Sequence, residues 1–310
     1  MTTLNALNAS DELQQNEIVE FTNYWNDDNH LIAYTNDRLN LWSSIYTVAL
    51  MDKLNKIVIK CQLPETRNCF GIMTCPDKNI FIYVHCNYID DNASIVIEIY
   101  NIIDGKINLL REFIIPSNTW CGMTTGVLQR IGMYNFNVIW GDLVNYEYVN
   151  SVAFNLDEYT PTRIINDIYI DDDGINDIAD YYFITNDIII KSDVIAINGN
   201  TLYIRIRNCK TDSIIYIQDV ELPYTHKYDE NEVESSILEF AIYNKRALCL
   251  VRVRLEDKID VLHIERYALD ILMDIDNNSI ISISQKIKND NYEVKSSIYF
   301  IDDTPLICCF

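Results

Sequence analysis

From about residue 30 onward the apolar residues recur with a period of two, in short runs separated by Asn- and Asp-rich turns. This period puts alternate side chains on opposite faces of a strand. Ile57, Ile59, Cys61 and Leu63 alternate with Val58, Lys60 and Gln62. Asn79–Tyr88 and Ala93–Ile102 follow, joined at Asp90-Asp91-Asn92, and Asp104-Gly105 leads into Lys106–Ile115 as a hairpin turn. Asn198-Gly199 stands between Val194–Ile197 and Thr201–Arg207, and Lys210-Thr211-Asp212 precedes Ser213–Leu222. Two further pairs are Ala247–Leu255 with Ile259–Tyr267, across Glu256-Asp257-Lys258, and Ser296–Ile301 with Leu306–Phe310, across Asp302-Asp303. With only 8 glycines in 310 residues, the turns must rely on Asn and Asp, which tolerate positive φ better than other side chains.

Residues 1–28 depart from the pattern. Ser10 or Asp11 can cap a helix, and Leu13, Ile18, Phe21 and Trp25 then recur at near-helical spacing. The spacing predicts a short amphipathic helix laid on the main domain.

Many strands about ten residues apart, with little helix, specify an all-β chain. One sandwich uses roughly a hundred residues, so sandwiches would have to come in tandem, and no Pro/Gly/Ser-rich linker separates them. A β-propeller absorbs such length in one domain at about 40–45 residues per blade. Candidate units begin near residues 30, 70, 120, 180, 236 and 279. His30–Ser44 resembles the middle of a WD-type repeat: a strand, the turn Asn36-Asp37, then a second strand ending in Trp42. Tyr100, Trp140 in Trp140-Gly141-Asp142, and Cys209 stand at similar places in later units, while the Gly-His pair that opens such repeats is missing. The resemblance is to divergent β-propellers. The expected fold is a single closed β-propeller of six or seven blades over residues 29–310, with residues 1–28 as a helical N-terminal segment and tandem β-sandwiches as the alternative. Leu306–Phe310, an apolar strand that would template aggregation if left open, is expected to close the ring by pairing with strands near the N-terminus.

Lys+Arg total 24 against Asp+Glu 46, a formal net charge of -22. Such a surface disfavours direct binding of nucleic acid, which depends on Lys and Arg neutralising phosphates, and is repelled by anionic membranes. It attracts basic partners. No stretch is long and apolar enough for a membrane span, and no secretory leader is expected at Met1-Thr2-Thr3. The nine cysteines (Cys61, Cys69, Cys75, Cys86, Cys121, Cys209, Cys249, Cys308 and Cys309) are odd in number, irregularly spaced and mostly within apolar runs. They are expected to be reduced core thiols in a reducing compartment, cytoplasmic or nuclear.

Asp171-Asp172-Asp173-Gly174-Ile175-Asn176-Asp177 resembles the calcium loop of integrin-type propeller repeats, which would make Asp171, Asp173 and Asp177 carboxylate ligands. Tyr169 occupies the first ligand position, so the loop is expected to be a solvated turn that holds no calcium. His30, His85, His226 and His263 are scattered, and His85 and Cys86, being adjacent in a strand, point to opposite faces. No nucleotide-binding, kinase or nucleophile-elbow motif occurs. Arg205, Arg207, Lys245, Arg246, Arg252 and Arg254 gather locally and are expected to pair across strands with Glu239, Glu256 or Glu265. Together these readings describe a non-enzymatic protein–protein interaction scaffold or adaptor without cofactors. It would bind a basic protein segment or serve as a subunit of an assembly. A structural or virion-type component from an AT-rich genome is the alternative, and an enzyme or sugar-binding propeller ranks third.

Overall fold

The computed structural model describes residues 18–26, 28–35, 45–54, 56–66, 68–89, 92–117, 124–132, 134–142, 148–169, 181–184, 189–198, 201–209, 211, 213–221, 228–243, 246–258, 264–287, 296–301 and 304–309. The chain is all-β, and every sheet is a meander in which each strand lies beside the one before it. Sheet 1 contains β1 (Ile18–Asn26), β2 (Asn29–Thr35), β3 (Thr47–Asp52) and β4 (Ile57–Gln62). Sheet 2 contains β5 (Asn68–Cys75), β6 (Ile80–Ile89), β7 (Asn92–Ile103) and β8 (Lys106–Pro116). Sheet 3 contains β9 (Thr124–Arg130), β10 (Asn135–Asp142), β11 (Tyr148–Asn155) and β12 (Thr160–Tyr169). Sheet 4 contains β13 (Tyr181–Phe183), β14 (Ile189–Asn198), β15 (Thr201–Asn208) and β16 (Ser213–Glu221). Sheet 5 contains β17 (Tyr228–Tyr243), β18 (Arg246–Lys258), β19 (Ile264–Asp274) and β20 (Ser279–Ile287), and β21 (Ser296–Ile301) pairs with β22 (Thr304–Cys309) as a two-stranded sheet.

The turns bear out the reliance on Asn and Asp. Among the described non-glycine residues with positive φ, Asn79, Asp104 and Asn278 are of this kind, with Tyr159 the exception. Asp104 and Gly105 both take positive φ, 51° and 65°, the conformation of a type I′ hairpin turn.

The chain divides into two compact units. The first comprises Met1–Leu128, Val138–Asn166 and Phe310, and the second Gln129–Asn137 and Asp167–Cys309. In the first unit, Leu31, Ala33, Val48, Leu50, Ile59 and Cys61 of sheet 1 share a buried cluster with Ile72, Phe81, Tyr83 and Tyr100 of sheet 2. The opposite face of sheet 2 is apolar as well, with Ile80, Ile82, Val84, Ile95, Ile97 and Ile99 all buried. Phe113 of β8 meets Phe154 of β11 edge-on, with ring centres 5.1 Å apart. In the second unit, Leu202, Ile204, Ile206 and Tyr216 of sheet 4 pack with Cys249, Val251, Val253, Ile271 and Met273 of sheet 5. The other face of sheet 5, through Leu248, Leu250 and Leu272, meets Ile298 of β21 and Ile307 of β22.

Several expectations need correction. Residues 18–26 form a strand, not a helix: β1 pairs antiparallel with β2 from Ile18↔Thr35 to Asn26↔Asn29, with irregularities between Val19 and Phe21 and between Tyr24 and Asn26. Those bulges interrupt strict alternation, so Ile18, Phe21 and Trp25 fall at intervals that imitate a helix. Residues 1–17 lie outside the described set. The predicted unit starting near residue 279 is the last strand of sheet 5. The predicted turn at Glu256-Asp257-Lys258 is strand: β18 runs on to Lys258, in register with β19 from Leu248↔Asp274 to Lys258↔Ile264. Among the described residues β22 pairs with β21, and sheet 1 is made of β1–β4 alone, so the expected closure by the last strand is not the arrangement found. Packing of Ile307 against sheet 5 covers that strand's apolar side instead.

Gly126 of β9 shows how tightly sheets 2 and 3 pack: a Cβ there would lie 2.4 Å from ring atoms of Phe70. Gly126→Ala is expected to destabilise the protein by about 1–3 kcal/mol through overpacking, measured as a lowered urea midpoint. Combining it with Phe70→Leu should cost less than the sum of the two single changes.

Candidate functional site

In the first unit β6 sends Phe81, Tyr83 and His85 to one face, and Glu98 and Tyr100 of β7 join them there. His85 Nε2 lies 3.5 Å from Glu98 Oε2 with both side chains buried, and the imidazole stacks on Tyr83 at 4.6 Å between ring centres. Tyr100 stacks on Phe81. Burial pushes the Tyr100 hydroxyl far above its usual range, reinforced by the Glu98 carboxylate that it hydrogen-bonds. Burial does the same to Tyr83, aided by Cys69 and Tyr46. Cys69 of β5 stands opposite His85 in register, so thiol, imidazole and carboxylate occupy adjacent strands. Spacing along one strand could not reveal this; it needs the β5–β6–β7 register.

The chemistry is not assembled. Neither ring nitrogen of His85 has a hydrogen-bond partner among the described residues, and a nucleophile needs its base within hydrogen-bond reach. His85 and Glu98 are 2% and 3% exposed, which closes them to a substrate. Cys86 faces the opposite side of β6, as strand alternation requires. Cys61, Cys69, Cys75, Cys86, Cys209 and Cys249 are free thiols. Burial raises Cys61 to about 11 and Cys249 further, so neither supplies a thiolate at neutral pH.

Among the described residues the second unit holds one fully buried ion pair and two in which a buried carboxylate meets a more exposed arginine. Arg252 and Asp270 are directly opposite in the β18–β19 register. The guanidinium donates from Nε to Oδ1 at 2.7 Å and from Nη2 to Oδ2 at 3.0 Å. Ser296 of β21 joins them, its hydroxyl donating to Asp270 and accepting from Arg252 Nη2 at 3.2 Å. Glu239 of β17 accepts the Ile298 N–H at 2.8 Å, with Arg130 Nε at 3.4 Å. Burial raises the Glu239 carboxyl, against the opposing pull of Arg130 and Ile298. Arg246 donates to Asp274 at 2.6 and 3.0 Å. Burial works to raise Asp274, but the bonds from Asn277 and Arg246 together hold it below its usual value. Cross-strand pairing was legible for Arg246 and Arg252. For Arg252 and Arg246 the partners are Asp270 and Asp274 rather than the expected glutamates, because partner choice follows a register that only the hairpin reveals.

Asp171, Asp173 and Asp177 lie outside the described residues, as do His226 and His263. Among the described residues no group of three or more His, Cys, Asp and Glu could hold a metal ion, and no helix is long and apolar enough to cross a membrane.

What the surface offers is an edge. Strands β4, β8, β12, β16 and β20 each end a four-stranded meander. Such edges are commonly protected by Lys, Arg or Pro, here Lys60 in β4, Lys106, Arg111 and Pro116 in β8, and Pro161 in β12. β16, with the sequence SIIYIQDVE, has none of these. Ile214, Ile215 and Ile217 on it are 54%, 40% and 38% exposed, and Asp219 and Glu221 are exposed at its far end.

No family model matches the chain, and no curated protein matches it. Solved structures with a similar arrangement include the β-propeller domain of the Trilobed protease from Pyrococcus furiosus, 8% identical over 94% of this chain and 98% of that one, TM-score 0.36. The acylaminoacyl peptidase of Pyrococcus horikoshii is 9% identical over 94% of this chain, which spans 57% of that one, TM-score 0.33. The Nup133 β-propeller domain of Vanderwaltozyma polyspora is 12% identical over 95% and 97%, TM-score 0.29. These are weak resemblances to β-propeller domains, and likeness at this level says nothing of what the chain binds or does.

Asp270→Ala leaves Arg252 charged and buried, and is expected to cost about 3–5 kcal/mol in urea unfolding. Replacing both residues with apolar ones, Arg252→Met with Asp270→Leu, should recover most of that loss.

Asp274 gives a pH signature. Its folded value is depressed, so its contribution is present above the usual 3.8 and is lost as pH falls through the folded value. Glu239, with a raised value, acts in the opposite sense, so the informative quantity is the difference between wild type and Asp274→Asn. That difference in urea midpoint should be largest near neutral pH and shrink between about pH 5 and pH 2.

Proposed function

We propose that this chain is a non-enzymatic interaction scaffold, its sheets the blades of a divergent β-propeller, and that its acidic surface binds a basic segment of another protein. The observation that carries this reading is the net charge of -22. Two features support it. The cluster of His, Cys, Tyr and Glu side chains around His85 is buried, and neither ring nitrogen of His85 has a hydrogen-bond partner among the described residues. Three exposed isoleucines lie together on the edge strand β16, a surface suited to another chain rather than to a small molecule. Free buried thiols fit a reducing cytoplasmic or nuclear setting, and the charge fits a protein partner better than nucleic acid.

Fluorescence anisotropy with labelled Lys/Arg-rich and Asp/Glu-rich peptides of equal length tests the reading. The basic peptide should bind and the acidic one should not, and binding should weaken about tenfold or more between about 50 mM and 500 mM salt as charges are screened. Equal binding of both peptides at low salt, or of neither, would contradict it.

A further inference from the structure

Strand β16 divides along its length. Ser213–Ile217 is uncharged and carries the three exposed isoleucines, and Asp219 and Glu221 follow. In the β15–β16 ladder Ile214 stands opposite Arg207, Ile217 opposite Arg205, Asp219 opposite Tyr203 and Glu221 opposite Thr201. All of these lie on the face away from the core, since the intervening pairs Ile206↔Tyr216 and Leu202↔Val220 are buried. Directly across the ladder the acidic end thus meets Tyr203 and Thr201. Ile215 is the extra residue of a bulge between the Ile206 and Arg207 pairings, which leaves its side chain outside the regular pairing. As the last strand of its sheet, β16 also has backbone groups on its outer edge with no strand beside them among the described residues, the template that an added strand uses.

Two arrangements can cover such an edge, and charge decides between them. If two copies of this chain paired β16 to β16 antiparallel in register, the isoleucine half of each would meet the carboxylate half of the other. A parallel pair would set carboxylates against carboxylates. Both place a charge where the partner offers none to match it, and each copy carries -22 overall. A foreign strand of complementary order avoids both conflicts.

We propose that β16 is a β-augmentation site that takes an extended segment of another protein as a fifth strand. The segment runs antiparallel, with Lys or Arg alternating through its N-terminal half, opposite Asp219 and Glu221, and apolar β-branched residues through its C-terminal half, opposite Ile214 and Ile217. Backbone hydrogen bonds along the edge supply affinity, and the order of basic and apolar halves supplies specificity. The proposal rests on the scaffold reading and locates its surface.

The test uses the full chain and two labelled peptides of about ten residues, one in the basic-then-apolar order and one with the halves reversed. Anisotropy is measured for wild type, Ile217→Lys, Ile217→Thr and the double change Asp219→Lys with Glu221→Lys, all checked for wild-type melting. The forward peptide should bind about tenfold or more tightly than the reversed one, and Ile217→Lys and the double change should each weaken it by a similar factor. Ile217→Thr, which keeps a β-branched strand residue, should weaken it less. Methylating alternate backbone nitrogens of the forward peptide, on the register that faces β16, should abolish binding. If both peptides bind equally and no variant matters, basic segments bind elsewhere: this proposal falls and the scaffold reading stands. If neither peptide binds at low salt, both fall. If sedimentation shows a dimer that Ile217→Lys dissolves, the occupant is a second copy of this chain and the proposal is overturned.

Discussion

A strand that is apolar on both of its faces has to be covered from both sides. In β6 the residues Ile80, Phe81, Ile82, Tyr83, Val84, His85 and Cys86 are all at most 2% exposed, so neither face of sheet 2 could stand in water. Fully burying one large apolar side chain contributes about 1.5–3 kcal/mol, so uncovering one face of such a sheet would forfeit more than a domain's usual net stability. The first unit meets this demand by packing sheet 1 against one face of sheet 2. In the second unit sheet 5 is covered by sheet 4 on one side and by β21–β22 on the other. Successive meanders are therefore stabilised by their neighbours more than by their own hydrogen bonding.

The polar groups inside these layers follow from the same constraint. Arg252, Asp270, Glu239 and Ser296 are held where sheet 5 meets the terminal hairpin, and each would be costly to bury alone. Paired, they fix how β21 lies on the sheet, because Ser296 and Ile298 have to meet particular carboxylates. His85 and Glu98 are similarly enclosed in the first unit, where their chemical potential is spent inside the packing. Among the described residues the edge strand β16 keeps three isoleucines exposed.

Much of this was legible in the residues. Period-two alternation located β4, β6–β8, β14–β16, β18 and the β21–β22 pair but left β3, β5, β9, β11–β13, β17 and β20 unread, and the scarcity of glycine anticipated Asn and Asp at positive φ. Trp140 and Tyr100, singled out in the repeat resemblance, are both fully buried in strands. What failed did so for local reasons: bulges in β1 mimicked a helical interval, and the charged stretch Glu256-Asp257-Lys258 looked like a turn although its cross-strand neighbours sustain the ladder. Arg252–Asp270 and Cys69–His85 depend on register, which no single strand encodes. The strand at Ser213–Leu222 was located, but the exposure of its isoleucines depends on its being the last strand of its sheet.

Native-state amide hydrogen exchange, resolved strand by strand, tests the layered account most directly. Amides of β6, β7, β18 and β19, paired on both sides within covered sheets, should be the slowest and should exchange only on global opening of their unit. The amides on the outer edge of β16 should exchange orders of magnitude faster. Protection in β16 equal to that in β18, or fast exchange throughout β6 and β7, would contradict it.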